Sequence, residues 1–236
     1  MAMNKKIMLR RQNGFSLLEL MLVVLLLTIV VGALFSQIER AQVRYRVEDQ
    51  KLDLTQQERE FIDQFTRDLH QAGYPSVTVL GNQYTTSSMY TAAGVWYISN
   101  TELHMEGDID GSGTVQSVVY TYFDGSGWAG PGPNPCPCLR RSAIAKQDGV
   151  APSAQTPGTA YTQVENIVSV AGQPIFTAYN ASGAPVSIST AVTDAATLKT
   201  IKSVGINLTT QGITKDNDAQ KTLQVTMTGM ARLVNN

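Results

Sequence analysis

Residues that build metal centres and nucleophilic active sites are scarce in this chain. Only two cysteines and two histidines occur among its 236 residues. Cys136 and Cys138 are separated by a single proline, which matches no CxxC-type zinc pattern and provides too few thiols for a disulfide framework. Neither histidine belongs to a Ser–His–Asp arrangement or to a metal cluster that the sequence supports. We therefore expect no enzyme activity and no resident cofactor.

The cysteine pair leaves three alternatives open. In an exported domain, Cys136 and Cys138 could form a disulfide with each other, bond to a partner subunit or stay as thiols. The neighbouring Arg140 and Arg141 would favour the thiolate form. A structural or idle pair is nevertheless favoured over redox chemistry.

A broad excess of positive charge is also absent. The formal net charge is −1, and residues 1–14 hold four of the 18 basic residues and none of the 19 acidic ones. The rest of the chain is therefore mildly acidic, with a net charge of −5. Such a surface has no general attraction for nucleic acid. We do not expect a nucleic-acid partner, although a local patch at Arg140 and Arg141 leaves DNA capture open.

Helix breakers are missing from the N-terminal region, where no proline precedes Pro75. Residues 15–35 form an almost continuous aliphatic run, which as a helix would extend about 32 Å and cross a hydrocarbon core of about 30 Å. Four basic residues precede this run, so the positive-inside rule predicts a single-pass protein with a cytoplasmic N-terminus. A cleaved secretory signal is the alternative, but its apolar region is typically only about 7–15 residues long.

One carboxylate, Glu19, interrupts the aliphatic run. A charge inside a membrane segment costs roughly 2.5–3.5 kcal/mol, so it normally has a partner or a function. Its context is Gly14-Phe15-Ser16-Leu17-Leu18-Glu19, which follows the basic leader and opens the apolar run. This arrangement resembles the class III signal of prepilins, the precursors of type IV pilins.

The resemblance implies a processing site and an assembly residue. A prepilin peptidase would cut between Gly14 and Phe15 and would N-methylate Phe15. Glu19, the fifth mature residue, would then face the positive N-terminal amine of a neighbouring subunit. The implied partners are other pilin subunits, the peptidase and an inner-membrane assembly platform. The implied location is the inner membrane, with a periplasmic head, and then the pilus or cell surface.

The rest of the sequence predicts an α+β fold. A pilin-like long N-terminal helix has a membrane half and an amphipathic half, and it packs on an antiparallel β-sheet head domain. Residues 37–72 contain no glycine or proline, and Ile62, Phe65 and Leu69 fall on one apolar face before Gly73 ends the helix. Strands are predicted at 76–80, 95–99, 115–123, 139–144, 164–170, 175–179, 201–208 and 223–234. The predicted layout is a leader at 1–14, a transmembrane or filament-core helix at 15–38, its amphipathic continuation at 39–73, and a head at 74–236 with an extended loop near 124–138.

Several phrases of the chain are similar to PilW-type minor pilins and to the related J-type minor pseudopilins of type II secretion. They are FTRDLHQAGYP, YTQVENIVSV, PIFTAYNASGAP, LKTIKSVGINLTT and LQVTMTGMARLVNN. This resemblance, and the 222 residues that follow Gly14, favour a minor pilin acting in pilus assembly, priming, tip display or adhesion. The alternatives are a J-type pseudopilin, a major filament subunit and, in another class, an uncleaved signal-anchored periplasmic binding domain.

The segment EGDIDGSGTVQ contains one candidate metal site. Asp108, Asp110 and Ser112 alternate as oxygen ligands of Ca²⁺ do, and Gly113 falls where an EF-hand loop needs its sharp turn. Val119 occupies the position of the bidentate glutamate, however, and a strand pattern follows. A plain hairpin turn is therefore the alternative to a calcium site, and it is favoured.

Overall fold

The computed structural model describes residues 14, 16–81, 83–127, 136–168, 170, 172–215 and 221–235. The chain divides into two compact units, Met1–Arg46 and Val47–Asn236. A long helix and antiparallel sheets are the main elements, so the predicted α+β fold is confirmed. Most of the leader, Phe15 and residues 128–135 of the predicted long loop lie outside the described residues.

The long helix, α1 (Leu17–Gln71), begins just after the glycine of the N-terminal motif and ends where the sequence predicts. Gly73 has a positive φ of 81°, which a side chain would disfavour, and its N–H donates to the carbonyl of Glu106 at 2.8 Å. A Cβ at Gly73 would also lie only 2.5 Å from the carbonyl oxygen of Asn235. A glycine is therefore required where the helix ends.

The second unit contains two antiparallel sheets rather than the one that the strand pattern suggests. Sheet 1 has five strands in the order β1-β2-β3-β4-β5. These are β1 (Gly94–Ile98), β2 (Glu102–Gly107), β3 (Gln116–Phe123), β4 (Cys138–Ala145) and β5 (Tyr161–Val164). Each strand therefore pairs with its neighbour in sequence, as in a simple meander.

Sheet 2 has four strands in the order β7-β6-β8-β9, so β8 and β9 form its long hairpin. The strands are β6 (Phe176–Asn180), β7 (Pro185–Val186), β8 (Ile201–Lys215) and β9 (Thr222–Arg232). Two short helices, α2 (Val77–Leu80) and α3 (Ala195–Thr200), and a 3₁₀ turn at Pro152–Ala154 lie in the connections.

One apolar stripe of α1 forms the centre of the hydrophobic core of the second unit. Phe65 is fully buried, with its ring 5.4 Å from that of Tyr120 in sheet 1 and 5.9 Å from that of Phe176 in sheet 2. Phe61 also packs edge-on against Tyr120, at 5.8 Å. Aromatic burial of this kind contributes both buried area and ring–ring attraction. The same stripe therefore holds both sheets in one core.

The two sheets also meet along the segment that follows β5. The N–H of Ile167 donates to the carbonyl of Pro137 at 2.8 Å, and the N–H of Val168 donates to the carbonyl of Thr209 at 2.7 Å. Ile167 also forms an isolated β-bridge with Thr210 of β8. This segment therefore hydrogen-bonds both to the residue that precedes β4 of sheet 1 and to β8 of sheet 2.

Two strand predictions are wrong. Residues 76–80 contain the helical turn α2, because the hydroxyl of Ser76 accepts the N–H of Val79 and acts as an N-cap. The predicted strand at 164–170 stops at Val164, because Asn166 has a positive φ of 54° that breaks the extended backbone. Both segments have alternating apolar residues, which predict a strand. In one the Ser76 cap favours a helical turn instead, and in the other the backbone conformation of Asn166 ends the strand.

Replacing Phe65 should disrupt the core of both sheets. We expect Phe65→Ala to lower the free energy of unfolding by about 3–5 kcal/mol, because the substitution leaves a cavity between two aromatic rings. Urea titration of the detergent-solubilised full chain measures the effect. Leu52→Ala, on the same helix but 68% exposed, is the control and should change stability by less than about 0.5 kcal/mol. Similar losses for the two variants would contradict the packing described.

Candidate functional site

The N-terminal motif lies where the helix begins. Gly14 is exposed and precedes the helix, and a Cβ built on it would meet no atom within 4 Å. The N–H of Leu20 donates to the carbonyl of Ser16 at 3.1 Å, which closes the first turn. Glu19 lies in that first turn and is exposed. The predicted cleavage position thus borders the helix start, although Phe15 itself lies outside the described residues.

The helix segment that follows presents apolar side chains on all sides. Large hydrophobic residues from Leu17 to Phe35 are between 38% and 76% exposed. Within the described chain, α1 is the one helix that is long and apolar enough to cross a membrane. So much exposed apolar surface is unfavourable in water and marks a surface that lipid or other helices cover. The segment is compatible with a signal-anchored membrane protein.

Glu19 is the one charged residue between Arg11 and Glu39. In lipid or among packed apolar helices, its carboxylate would lose hydration that only a cation or hydrogen-bond donors can replace. No other side chain of the apolar segment carries a charge. A positive partner for Glu19 must therefore come from outside this segment.

The comparison with protein families agrees with this geometry. A family model described as the prokaryotic N-terminal methylation motif matches residues 9–35, which include Gly14, Phe15 and Glu19. The chain therefore carries the type IV pilin-like signal of a prepilin-peptidase substrate. No curated protein and no solved structure matches the chain significantly. The motif supports the general pilin-like class but assigns no subgroup, PilW-type or other.

The cysteine pair forms a disulfide in the structure, Cys136–Cys138, at the start of β4. Next to it, the guanidinium of Arg140 lies 3.7 Å from the centre of the Phe123 ring and 3.8 Å from the sulfur of Cys136. Arg141 instead faces the helix, where its Nη2 is 2.8 Å from a carboxylate oxygen of Asp68. The structure therefore places the two arginines on opposite faces of the strand and forms no two-arginine patch.

Sequence reasoning missed three buried carboxylates, the first of which is Asp68 on α1. Its Oδ2 accepts the hydroxyl of Tyr120 at 2.6 Å and the Nε of Arg141 at 2.8 Å. Burial raises the pKa of Tyr120 well above its usual value, so the hydroxyl remains a donor. These contacts fasten the helix to sheet 1.

The second is Glu106, which pairs with Lys146 in the interior. Lys146 Nζ lies 2.6 Å from Glu106 Oε2, and both side chains are fully buried. The lysine also donates to the carbonyls of Thr86 and, at 2.8 Å, Thr91, while the N–H of Ala93 donates to Glu106 Oε2. Burial raises the pKa of Glu106, an effect that Lys146 opposes. The pair fastens the loop at 84–93 onto sheet 1.

The third is Glu58, which contacts sheet 2. It is fully buried, and its Oε1 accepts the hydroxyl of Thr210 at 2.7 Å. Burial raises the pKa of Glu58 more than the hydrogen bonds from Thr210 lower it. Helical spacing could have predicted the burial of the two carboxylates on α1. The residues on this face follow one another at intervals of three and four: Glu58, Phe61, Phe65 and Asp68. An acidic residue in register with an apolar stripe is placed to be buried.

Glu58 should make stability depend on pH. Its pKa is higher in the folded than in the unfolded chain, so the folded state binds more protons and loses relative stability as pH rises through the folded-state pKa. Glu58→Gln keeps an acceptor for Thr210 without the charge. We expect this variant to gain stability relative to wild type as the pH rises above 4.5, the ordinary pKa of a glutamate carboxyl, as measured by urea unfolding across a pH series.

The matched control is Glu60→Gln, an exposed position on the same helix. It should differ from wild type by less than about 0.5 kcal/mol throughout the pH series. A Glu58→Gln difference that stays constant with pH would show that the carboxyl does not titrate as described.

Proposed function

We propose that this chain is a minor pilin subunit of a type IV pilus, which a prepilin peptidase processes and which acts in pilus assembly, priming or tip display. One observation carries the proposal. The methylation motif at residues 9–35 opens directly into a helix whose exposed apolar surface contains a single carboxylate. The similarity of several head phrases, such as FTRDLHQAGYP and LQVTMTGMARLVNN, to minor pilins favours a minor over a major subunit.

The proposed mechanism is assembly rather than catalysis. The precursor spans the inner membrane once, with residues 1–14 in the cytoplasm and the β-sheet unit outside. The peptidase removes residues 1–14 and methylates Phe15, which leaves a positive secondary amine at the new N-terminus. The apolar segment then passes from lipid into a bundle of equivalent helices from other subunits. Its surface stays covered at each stage, so transfer costs little hydrophobic free energy.

Glu19 supplies the register of that bundle. The carboxylate of one subunit and the terminal amine of its neighbour each lose several kcal/mol of hydration in the bundle. Pairing recovers much of this loss, whereas a helix that packs out of register leaves both charges unpaired. The buried pair thus selects one axial arrangement among many that would bury equal apolar area.

The first prediction of this proposal concerns the N-terminus. Intact-mass and N-terminal peptide analysis of the protein from its own host should show a chain that begins with N-methylated Phe15. The same protein from a host without the prepilin peptidase is the control and should retain residues 1–14. Retention of the leader in the presence of an active peptidase would contradict the proposal and support the signal-anchored binding domain.

The second prediction concerns Glu19. Glu19→Gln should be processed and inserted in the membrane, but its share in sheared filaments should fall at least about tenfold, because the partner amine would remain buried and unpaired. Glu39→Gln, the next acidic position of the helix, should enter filaments like wild type.

Equal incorporation of the Glu19 and Glu39 variants would remove the proposed role of Glu19. Loss of protein secretion, with normal pili, on deletion of the chain would assign the subunit to a secretion pseudopilus instead. These two outcomes are independent, since one tests the role of Glu19 and the other tests whether the subunit belongs to a pilus or to a secretion system.

A further inference from the structure

The loop between β2 and β3, residues 108–115 (the acidic loop), is held firmly at its base. The N–H of Asp108 donates to the carbonyl of Tyr74 at 2.8 Å, just beyond the end of α1. Strands β2 and β3 are in regular antiparallel register from Glu102–Thr121 to Gly107–Gln116. The acidic loop therefore projects from a rigid hairpin.

The carboxylate of Asp108 is turned into this loop and is only half satisfied. Its Oδ2 accepts the N–H of Gly113 at 3.0 Å, across the loop. Its Oδ1 is buried and has no hydrogen-bond partner in the described chain, and Asp108 as a whole is only 8% exposed. A buried carboxylate oxygen without a partner is costly and requires an explanation.

Further oxygen ligands lie at the spacing that a cation needs. Asp110 and Ser112 follow Asp108 at alternate positions, and Gly113 has a φ of 81°, which turns the backbone sharply. Asp110 is exposed; its Oδ1 accepts the N–H of Ser112 at 3.0 Å, and its Oδ2 accepts the side-chain amide of Gln116 at 2.6 Å. Its carboxylate can therefore be reached from solvent.

Protein cations do not neutralise this site. The buried lysine of this region, Lys146, forms its ion pair with Glu106. Among the residues that the structure describes, neither Asp108 nor Asp110 takes part in a salt bridge. A divalent cation would add charge neutralisation to this acidic loop and would use the free Oδ1 of Asp108.

We propose that the acidic loop binds Ca²⁺ through Asp108, Asp110 and Ser112. Backbone carbonyls of the loop and water complete the shell. All these donors are oxygen atoms in an irregular arrangement, which suits Ca²⁺ better than Mg²⁺, whose octahedral shell is strict, or than Zn²⁺ and Cu²⁺, which favour nitrogen and sulfur ligands. With two carboxylates and Val119 in place of a bidentate glutamate, we expect the affinity of an extracellular module, with a Kd of about 10⁻⁴–10⁻³ M.

Isothermal titration of the detergent-solubilised full chain with CaCl₂, after EGTA treatment, tests the proposal. We expect saturable binding of one Ca²⁺ in that range. At about 100-fold excess over the Kd, Tm should rise by about 5–11 °C, and equal MgCl₂ should give less than half of that rise.

Two variants locate the site. Asp108→Asn retains an acceptor for Gly113, and Asp110→Asn changes an exposed side chain while retaining an acceptor for Ser112. Each should weaken binding at least tenfold and, at the same CaCl₂ concentration, reduce the Tm shift by at least about half. The control is Asp124→Asn, since Asp124 is also exposed and accepts the N–H and hydroxyl of Ser126 in a similar turn. It should bind Ca²⁺ like wild type.

Absence of saturable heat would overturn the proposal, as would equal responses to calcium and magnesium. Equal loss in the Asp110 and Asp124 variants would show general charge screening instead of a site. If Asp108→Asn does not fold, the Asp110 variant alone decides between these results.

Discussion

The packing of one helix stripe between two sheets is the constraint on which the fold of the second unit depends. Phe65 touches an aromatic ring in each sheet, while Asp68 and Glu58 make polar contacts with β3 and β4 of sheet 1 and with β8 of sheet 2. The apolar contacts provide most of the driving force, and the polar ones fix rotation and axial position of the helix, because each needs a particular partner. Strand pairing alone would not join the sheets so closely.

The same helix contains carboxylates in two opposite situations. Asp68 finds its donors within the chain, so its burial is compensated once the unit folds, and Glu58 finds one donor there, the hydroxyl of Thr210. Glu19 lies in an apolar segment that contains no other charge. In our proposal, its compensating charge comes from another copy of the chain. An acidic residue among apolar ones thus stabilises the folded unit in the C-terminal half of the helix. In our proposal, the same combination directs subunit association in the N-terminal half. The difference is whether the partner is intramolecular.

The sequence contained enough information for the motif, the helix and its buried stripe. Gly14 to Glu19 are contiguous, Phe65 and Leu69 follow helical spacing, and Gly73 punctuates the end, so local patterns were sufficient. The division into two sheets was not predictable, because it depends on contacts such as that between Ile167 and Thr210, which are distant in sequence. The partners of Glu106 and the free oxygen of Asp108 also required coordinates. The error at Asn166 has a local cause instead, because the backbone conformation of this one residue ends the strand that the sequence predicts.

The buried pair of Lys146 and Glu106 has a consequence for motion. The loop at 84–93 has no strand and no long helix, which normally permits local opening at low free energy. Here, detaching the loop would remove the acceptors of a lysine and strip the cover from a fully buried carboxylate. Opening would therefore expose two charges at once and disturb the adjoining sheet. This loop belongs to the same cooperative unit as sheet 1, and its hydrogen-bonded amides at Ala92 and Ala93 should exchange with solvent only when that sheet unfolds.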